Sequence, residues 1–124
     1  RMKSDIVQLM LSCIDKDLHN FELKWEDDHC ATVVMASNGY PGSFEKETVI
    51  NGIDKLENTD TFQVFHAATA IKDKKIIAIG GRVLSVTSKN ASLSEALKKI
   101  YESIHSIDWP EGYYRKDIGK KALT

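Results

Sequence analysis

Two glycines followed by an arginine, Gly80-Gly81-Arg82, form the first group in the sequence whose residue types could carry chemistry. They separate the apolar run "KKIIAI" from the β-branched run "RVLSVTS". One interpretation is a β-bulge that leaves an arginine on the surface. The other is a close approach of the backbone to a ligand, beside a guanidinium that binds phosphate or carboxylate through paired hydrogen bonds. The pattern leaves both open and makes Gly81 and Arg82 candidate binding residues.

A glycine-rich loop, "SNGYPGSF" at residues 37–44, is the second candidate. It follows the apolar run "ATVVMA" and contains Gly39, Tyr40, Pro41 and Gly42 in succession. Such a loop can be a plain turn. It can also bring backbone N–H groups close to an anion, because glycine allows torsions that a β-carbon forbids. All four residues are therefore candidate binding residues.

Other polar residues are weaker candidates. Asp27-Asp28 lies in a charged connector, where a solvated surface is the usual outcome. His66 lies in an apolar run, which favours a hydrogen-bonded core histidine over a catalytic base. The sequence has no phosphate-binding Walker loop, nucleophile elbow or metal-ligand cluster, so it offers no candidate catalytic residue and no metal site.

Composition excludes several classes of protein. The 124 residues suit a single domain, and 42% of them are hydrophobic, which is enough for one core. The net charge of −1 gives no electrostatic reason to expect a nucleic-acid partner. No apolar run is long enough to predict a membrane span. The two cysteines form no motif and predict a reduced, cytoplasmic protein, and the start on Arg1 predicts a fragment or a processed chain.

Hydrophobic spacing predicts two helices. The stretch "SDIVQLMLSCIDKDL" has apolar residues three and four apart, with Ser4 or Asp5 as its cap. The stretch "NASLSEALKKIYESIHSI" has one apolar face, and Ser92 with Glu95 forms a capping box. The charged segment between the first helix and Cys30 is predicted to be a connector.

Strands are predicted between the helices, in "CATVVMAS", "TFQVFHAATAI", "KKIIAIG" and "RVLSVTS". Lys72-Asp73-Lys74 is expected to connect two of them as a hairpin. The segment after the glycine-rich loop is expected to be polar and irregular up to about Asp60, and the tail after Pro110 to be a short helix or loop. Consecutive strands between helices indicate an α+β fold with a small, mostly antiparallel sheet flanked by helices.

Four blocks, "VVMASNGYPGSF", "VFHAATAI", "GGRVLSVT" and "YYRKDIGKKAL", occur in this order with these gaps. Together they resemble the C-terminal part of the phosphoribosylamine–glycine ligase (glycinamide ribonucleotide synthetase) family of ATP-grasp enzymes, over nearly the whole chain. Asn38 and Ala68 stand where that family often has glycine. The opening helix resembles the one that follows the family's acidic metal-binding motif.

The resemblance implies a reaction in which glycine is joined to 5-phosphoribosylamine, by way of glycyl phosphate, with cleavage of ATP to ADP and phosphate in de novo purine synthesis. ATP and Mg²⁺ would bind outside this chain, which has none of the family's ATP-binding or metal-binding residues, so the fragment alone is expected to be inactive. The candidate residues would then lie on the substrate side of the site: Gly39, Tyr40, Pro41, Gly42, Gly81 and Arg82.

The resemblance also implies a division of the chain. Residues 1–29 would be a helix and connector from the end of the ATP-grasp domain, and residues 30–124 the C-terminal domain. The implied partners are the upstream ATP-grasp and N-terminal domains and the two substrates, with neither nucleic acid nor membrane. The alternative is a non-catalytic small-molecule-binding or interaction module that uses the same fold. The reading frame upstream of Arg1 distinguishes the two.

Overall fold

The computed structural model describes residues 1–123, which form two helices and seven strands. The helices are α1 (Ile6–Ile14) and α2 (Leu93–Ile104). The strands are β1 (His29–Ser37), β2 (Thr48–Ile50), β3 (Phe62–His66), β4 (Thr69–Lys72), β5 (Lys75–Ala78), β6 (Arg82–Asn90) and β7 (Gly112–Tyr114). Short 3₁₀ turns cover Leu18–Asn20, Ile53–Lys55 and Lys120–Ala122. The predicted α+β class is confirmed.

The strands divide into two sheets. One has four strands in the order β3-β6-β1-β7, and the other has three in the order β2-β5-β4. All of the strand pairs in residues 1–123 are antiparallel. The strands form two sheets rather than one because "TFQVFHAATAI" is not one strand. It breaks at Ala67 and Ala68, whose amides both bond to the carbonyl of Val83, and β4 then joins the smaller sheet.

The hairpin between β4 and β5 confirms the connection predicted at Lys72-Asp73-Lys74. Lys72 pairs with Lys75, and the two loop residues, Asp73 and Lys74, have φ angles of 50° and 62°. Positive φ at both loop positions is the geometry that matches the twist of the flanking strands. An aspartate tolerates this conformation better than most residues, which explains a tight turn without glycine.

Helix α2 supplies the cover for the larger sheet. Its Ser92 side chain accepts from the amide of Glu95 at 3.2 Å, and this confirms the predicted capping box. The apolar face of the helix is buried, and Ile100 is completely inaccessible. It packs on inward-facing residues of β1, β3 and β6, which share near-zero exposure: Val33, Met35, Phe62, Val64, Leu84 and Val86. This apolar layer belongs to one core that also includes Ile50 and Ala78 of the smaller sheet.

Two strands were not predicted from the sequence. Strand β2 lies in the segment expected to be irregular, and β7 lies in the tail expected to be a helix or loop. Both have three residues, too few for a visible alternation, and both are held at a sheet edge by pairing with a longer strand. Tertiary pairing, rather than local preference, decides such short strands.

Helix α1 is shorter than predicted. Unlike α2, it is not covered by the rest of the described chain. Asp5 caps it by accepting from the amide of Val7 at 2.7 Å. None of its residues is buried, and its apolar side chains, Ile6, Val7, Met10, Leu11 and Ile14, are 44–73% exposed. Within residues 1–123, no helix is long and apolar enough to cross a membrane.

A buried hydrogen bond joins the segment after α2 to strand β2 of the smaller sheet. The indole N–H of Trp109, which follows α2, donates to the hydroxyl of Thr48 in β2 at 2.9 Å. Both residues are buried, with 5% and 7% exposure. Next to this bond, Asn51 and Asp108 exchange two backbone hydrogen bonds of 3.0 Å. The contact therefore ties the segment after α2 to the smaller sheet.

Replacing Thr48 with valine should destabilise the protein by about 1–3 kcal/mol, because the shape is kept but the buried indole N–H loses its acceptor. Urea unfolding followed by tryptophan fluorescence measures the change. Thr61→Val is the matched control, since Thr61 is exposed and its hydroxyl has only a 3.4 Å contact with Thr59. Equal stability of the Thr48→Val protein and the wild type would contradict the role given to this bond.

Candidate functional site

The two glycine-containing segments singled out in the sequence meet at one end of the larger sheet. Because β1 and β6 are antiparallel, the last residue of β1 lies beside the first residues of β6. Ser37 makes the connection twice: its amide donates to the carbonyl of Gly81 at 2.8 Å, and its hydroxyl donates to the carbonyl of Gly80 at 2.8 Å. We call the arrangement of residues 37–44 and 80–82 the glycine corner.

The loop of the glycine corner folds back on itself after β1. Gly39 has a φ of 98°, and a β-carbon there would overlap the carbonyl of Ser43. The amide of Tyr40 donates to the carbonyl of Ser37 at 3.0 Å, and the bond between Tyr40 and Pro41 is cis. The torsion expected to require glycine is therefore present at Gly39, and a non-glycine residue there would be both strained and obstructed.

Tyr40 covers the strand that starts at Arg82. A β-carbon at Gly81 would overlap the ring of Tyr40, so the missing side chain at Gly81 leaves the space that the ring fills. The ring also meets Phe44 edge to face, with centroids 6.3 Å apart. One interpretation of the sequence was a close approach of the Gly81 backbone to a ligand. In the structure, the group that approaches this backbone is the ring of Tyr40. Contact of Gly81, Pro41 or Gly42 with a substrate stays a prediction.

The guanidinium of Arg82 lies beside the same ring. Its central carbon is 5.8 Å from the centroid of Tyr40, a cation–π distance. Arg82 is exposed, and within residues 1–123 its side chain makes no hydrogen bond or ion pair. Five N–H donors are therefore available at this corner, held near an aromatic face.

A bulge sets the direction of Arg82. Met35 pairs with Leu84 but Ala36 pairs with Arg82, so Val83 is the extra residue on β6. The bulge that was one interpretation of the two glycines is therefore present, but at Val83, two residues after Gly81. Because a bulge changes which face the following side chains occupy, Val83 and Leu84 are both buried while Arg82 points to solvent.

His66 does not lie where the sequence pattern led us to expect, and Ser37 was not singled out by that pattern. His66 is exposed at the end of β3, and its Nδ1 lies 3.0 Å from the hydroxyl of Thr69, so it is not a core histidine. It borders a shallow apolar hollow that Ile71 and Ile76 also line. Ser37 is buried and holds both carbonyls of the glycine pair. Its position just before the loop was the available signal for its role.

The perturbed titrating pair in the described part of the chain lies outside the glycine corner. Arg115 donates to Asp117 from Nε at 2.9 Å and from Nη2 at 2.6 Å. This hydrogen bonding lowers the pKa of Asp117 below its ordinary value and raises the pKa of Arg115. The pair is exposed, so it is a surface ion pair that contributes little to stability and is not a reactive group.

Metal-binding residues are not clustered in the described chain. Residues 1–123 contain no group of three or more His, Cys, Asp or Glu side chains placed to hold a metal ion. Cys13 and Cys30 are both free and exposed. The glycine corner is thus a cationic and aromatic surface, suited to holding an anion and not to holding a metal.

Comparison with known proteins gives a consistent result. The family model described as "Phosphoribosylglycinamide synthetase, C domain" matches residues 30–121. A phosphoribosylamine–glycine ligase from Brucella melitensis is 45% identical over 99% of the chain, and a chloroplastic one from Arabidopsis thaliana is 41% identical over 99%. A bifunctional purine biosynthetic protein from Dictyostelium discoideum is 41% identical over 99% of the chain.

Solved structures include one close in fold. The phosphoribosylamine–glycine ligase from Thermotoga maritima matches 90% of the chain with a TM-score of 0.65 and 26% identity. The chain spans 29% of that protein and 29% of the Brucella relative. Since the family model covers most of the chain and the fold agrees, the chain belongs to the phosphoribosylglycinamide synthetase C-domain family.

Proposed function

We propose that the chain is the C-terminal part of a cytoplasmic ligase that joins glycine to 5-phosphoribosylamine, with ATP cleaved to ADP and phosphate, in de novo purine synthesis. The observation that carries this proposal is 45% identity, over 99% of the chain, with a protein named phosphoribosylamine–glycine ligase. The glycine corner supports a share in substrate binding. Because the chain spans 29% of that relative, the reaction belongs to the complete ligase and not to these residues alone.

The reaction explains what an anion-binding corner would contribute. A carboxylate is a poor acceptor for an amine, so glycine must first be activated as an acyl phosphate. The amine of phosphoribosylamine then forms the new C–N bond at the acyl carbon as phosphate leaves. Holding the sugar phosphate fixes the amine relative to that carbon, and such positioning lowers the barrier without any protein group reacting.

Arg82 is proposed to hold the phosphate of phosphoribosylamine. Its guanidinium has no internal partner among residues 1–123, so binding a phosphate breaks no existing ion pair. A planar fork of N–H groups matches two phosphate oxygens at once. The ring of Tyr40 restricts where the guanidinium can lie. The missing side chain at Gly81 leaves the space that this ring occupies. Gly39, Pro41 and Gly42 are proposed to line the same substrate-facing loop.

ATP and Mg²⁺ are proposed to bind elsewhere in the complete ligase. Phosphoryl transfer from ATP needs carboxylate or amide ligands for magnesium and a cradle for the phosphates. Residues 1–123 offer no cluster of metal-ligating side chains. A magnesium site therefore does not fit the described residues, and the proposed contribution of this chain is to bind substrate and to close one side of the site.

Residues 1–29 are proposed to belong to the preceding ATP-grasp domain and residues 30–124 to form the C-terminal domain. Two observations support this division. The family model begins at residue 30, and α1 buries none of its residues although it is strongly apolar. An apolar helix of this kind is usually covered by another domain. The non-catalytic interaction module remains the second candidate function, favoured by the same exposed helix.

Substitution of Arg82 tests the phosphate role in the complete ligase. Arg82→Ala should raise KM for phosphoribosylamine about 10- to 150-fold, because a charge-assisted hydrogen bond worth roughly 1.5–3 kcal/mol is lost. KM for ATP should change much less. Arg82→Lys should recover only part of the loss, since an ammonium lacks the planar fork. Steady-state kinetics with each substrate varied in turn provides the measurement.

Lys98→Gln is the control for loss of one surface charge, because Lys98 lies on α2 and its only ion-pair partner within residues 1–123 is Glu102 at 4.0 Å. An unchanged KM for phosphoribosylamine in the Arg82→Ala enzyme rules out the phosphate role. An equal rise in both variants would assign the effect to overall charge rather than to the glycine corner.

The packing of Tyr40 over Gly81 is testable by a double-mutant cycle in the isolated chain. Gly81→Ala should destabilise the protein by about 1–3 kcal/mol, because the added methyl overlaps the ring. In the Tyr40→Ala background the same substitution should have a much smaller effect, about 1 kcal/mol or less. Urea unfolding of the four proteins gives the coupling energy. Equal effects in both backgrounds would show that the ring does not depend on Gly81.

Comparing the isolated chain with the complete ligase tests whether the reaction needs the other domains and whether one of them covers α1. The isolated chain should form no glycinamide ribonucleotide from glycine, phosphoribosylamine and ATP, whereas the complete ligase should. Amide hydrogen exchange over α1 should be slower in the complete ligase, where another domain covers the helix. Turnover by the purified isolated chain contradicts the first expectation, and equal exchange over α1 contradicts the second.

A further inference from the structure

A polar cleft lies at the opposite end of β6 from the glycine corner. It opens between the last residues of β6, the start of β3, the middle of α2 and the segment after β2, and its volume is about 470 Å³. This volume falls in the range of roughly 300–1,000 Å³ that is typical of small-molecule sites. We call it the lysine cleft, after the cations among its lining residues: Lys55, Lys89 and Lys99.

The lysine cleft carries a net positive charge. Its three lysines are accompanied by a single acidic residue, Glu57, which leaves a balance of +2. None of these four side chains forms an ion pair within residues 1–123. In a protein whose overall charge is −1, this is a local concentration of unpaired cations. Such a concentration attracts anions, and low-dielectric walls strengthen the attraction.

One of the cations is held in place by an aromatic ring. The ammonium of Lys99 lies 5.4 Å from the centroid of Phe62, which is 5% exposed and forms part of the floor. A cation–π contact restricts a side chain that would otherwise sample many rotamers. The loss of side-chain entropy on binding is therefore smaller at this lysine than at an ordinary surface lysine.

Ser88 supplies a hydrogen-bond donor at the cleft. It lines the cleft, and its hydroxyl makes no hydrogen bond with any residue in the described range 1–123. The neighbouring Ser103 differs, because its hydroxyl donates to the carbonyl of Lys99 at 2.7 Å. Since residues 1–123 contain no buried side-chain polar atom without a partner, the Ser88 hydroxyl is accessible from the cleft and can donate to a ligand there.

We propose that the lysine cleft binds the phosphate group of a small molecule, with Lys55 and Lys99 facing its charge and the hydroxyl of Ser88 donating to one of its oxygens. A phosphate monoester carries close to two negative charges near neutral pH, which matches the balance of the cleft better than a single carboxylate does. This site is separate from the glycine corner and does not depend on the reaction proposed above.

The test uses the 124-residue chain and inorganic phosphate as the probe, at constant ionic strength maintained with chloride. Backbone amide resonances are followed by NMR during the titration. We expect saturable shifts at Ser88, Lys89, Asn90 and Lys99. Lys99→Gln should weaken binding about three- to tenfold, as expected for loss of one partly exposed charge contact. Ser88→Ala should also weaken it, with no change in net charge.

Lys98→Gln is the matched control, since it removes the adjacent lysine on α2, which is absent from the cleft lining. Binding should be unchanged in this variant. Equal weakening by Lys98→Gln and Lys99→Gln would overturn the proposal, because it would indicate diffuse charge screening. Shifts that increase linearly without saturation, or that centre on Gly81 and Arg82 instead, would overturn it as well. Failure of the Arg82 kinetics would leave these results unaffected.

Discussion

The antiparallel pairing of β1 with β6 is the constraint on which the rest of the structure depends. Each strand has nine residues, and they pair over nearly their whole length, from His29 with Asn90 to Ala36 with Arg82. The inward faces of these two strands carry the most buried residues of the core, and α2 covers them. Because the register is fixed by burial on one face, a slip by one residue would expose that entire face.

This register also determines what stands at each end of the sheet. At one end it places the loop after β1 against the start of β6, which creates the glycine corner. At the other end it leaves Ser88 and Lys89 beside the start of β3, where the amide of Lys89 donates to the carbonyl of Thr61 at 2.8 Å. Two cationic surfaces therefore arise from one strand, with the apolar core between them.

Much of this could be predicted from local patterns, and the failures have a common cause. The capping box at Ser92, the apolar face of α2 and the strand before the glycine-rich loop are encoded by neighbouring residues, so the sequence pattern identified them. Strands β2 and β7 were missed because long-range pairing creates them. The break between β3 and β4 depends on the carbonyl of Val83, far along the chain.

For the glycine corner too, the residues were identified from local patterns, whereas their contacts depend on long-range pairing. Gly39, Tyr40, Gly81 and Arg82 were identified from residue type and spacing, but their contact with one another depends on the register of β1 and β6. Their contact with a substrate stays a prediction. The lysine cleft had no signal in the sequence, since Lys55, Lys89 and Lys99 lie far apart and look like ordinary surface charges. Only the fold shows that they line one cavity together with Ser88.

The two cationic surfaces are too far apart for one small ligand to contact both. Arg82 and Lys89 lie seven residues apart on one strand, and an extended chain rises about 3.3 Å per residue, so roughly 23 Å separates their backbones. A sugar phosphate is much shorter than this, so one such molecule cannot contact both. At that distance, more than two Debye lengths at physiological salt, the charges at one surface contribute little to the other. The anion proposed for each surface would therefore be bound independently, with affinity set by the cations and donors of that surface alone.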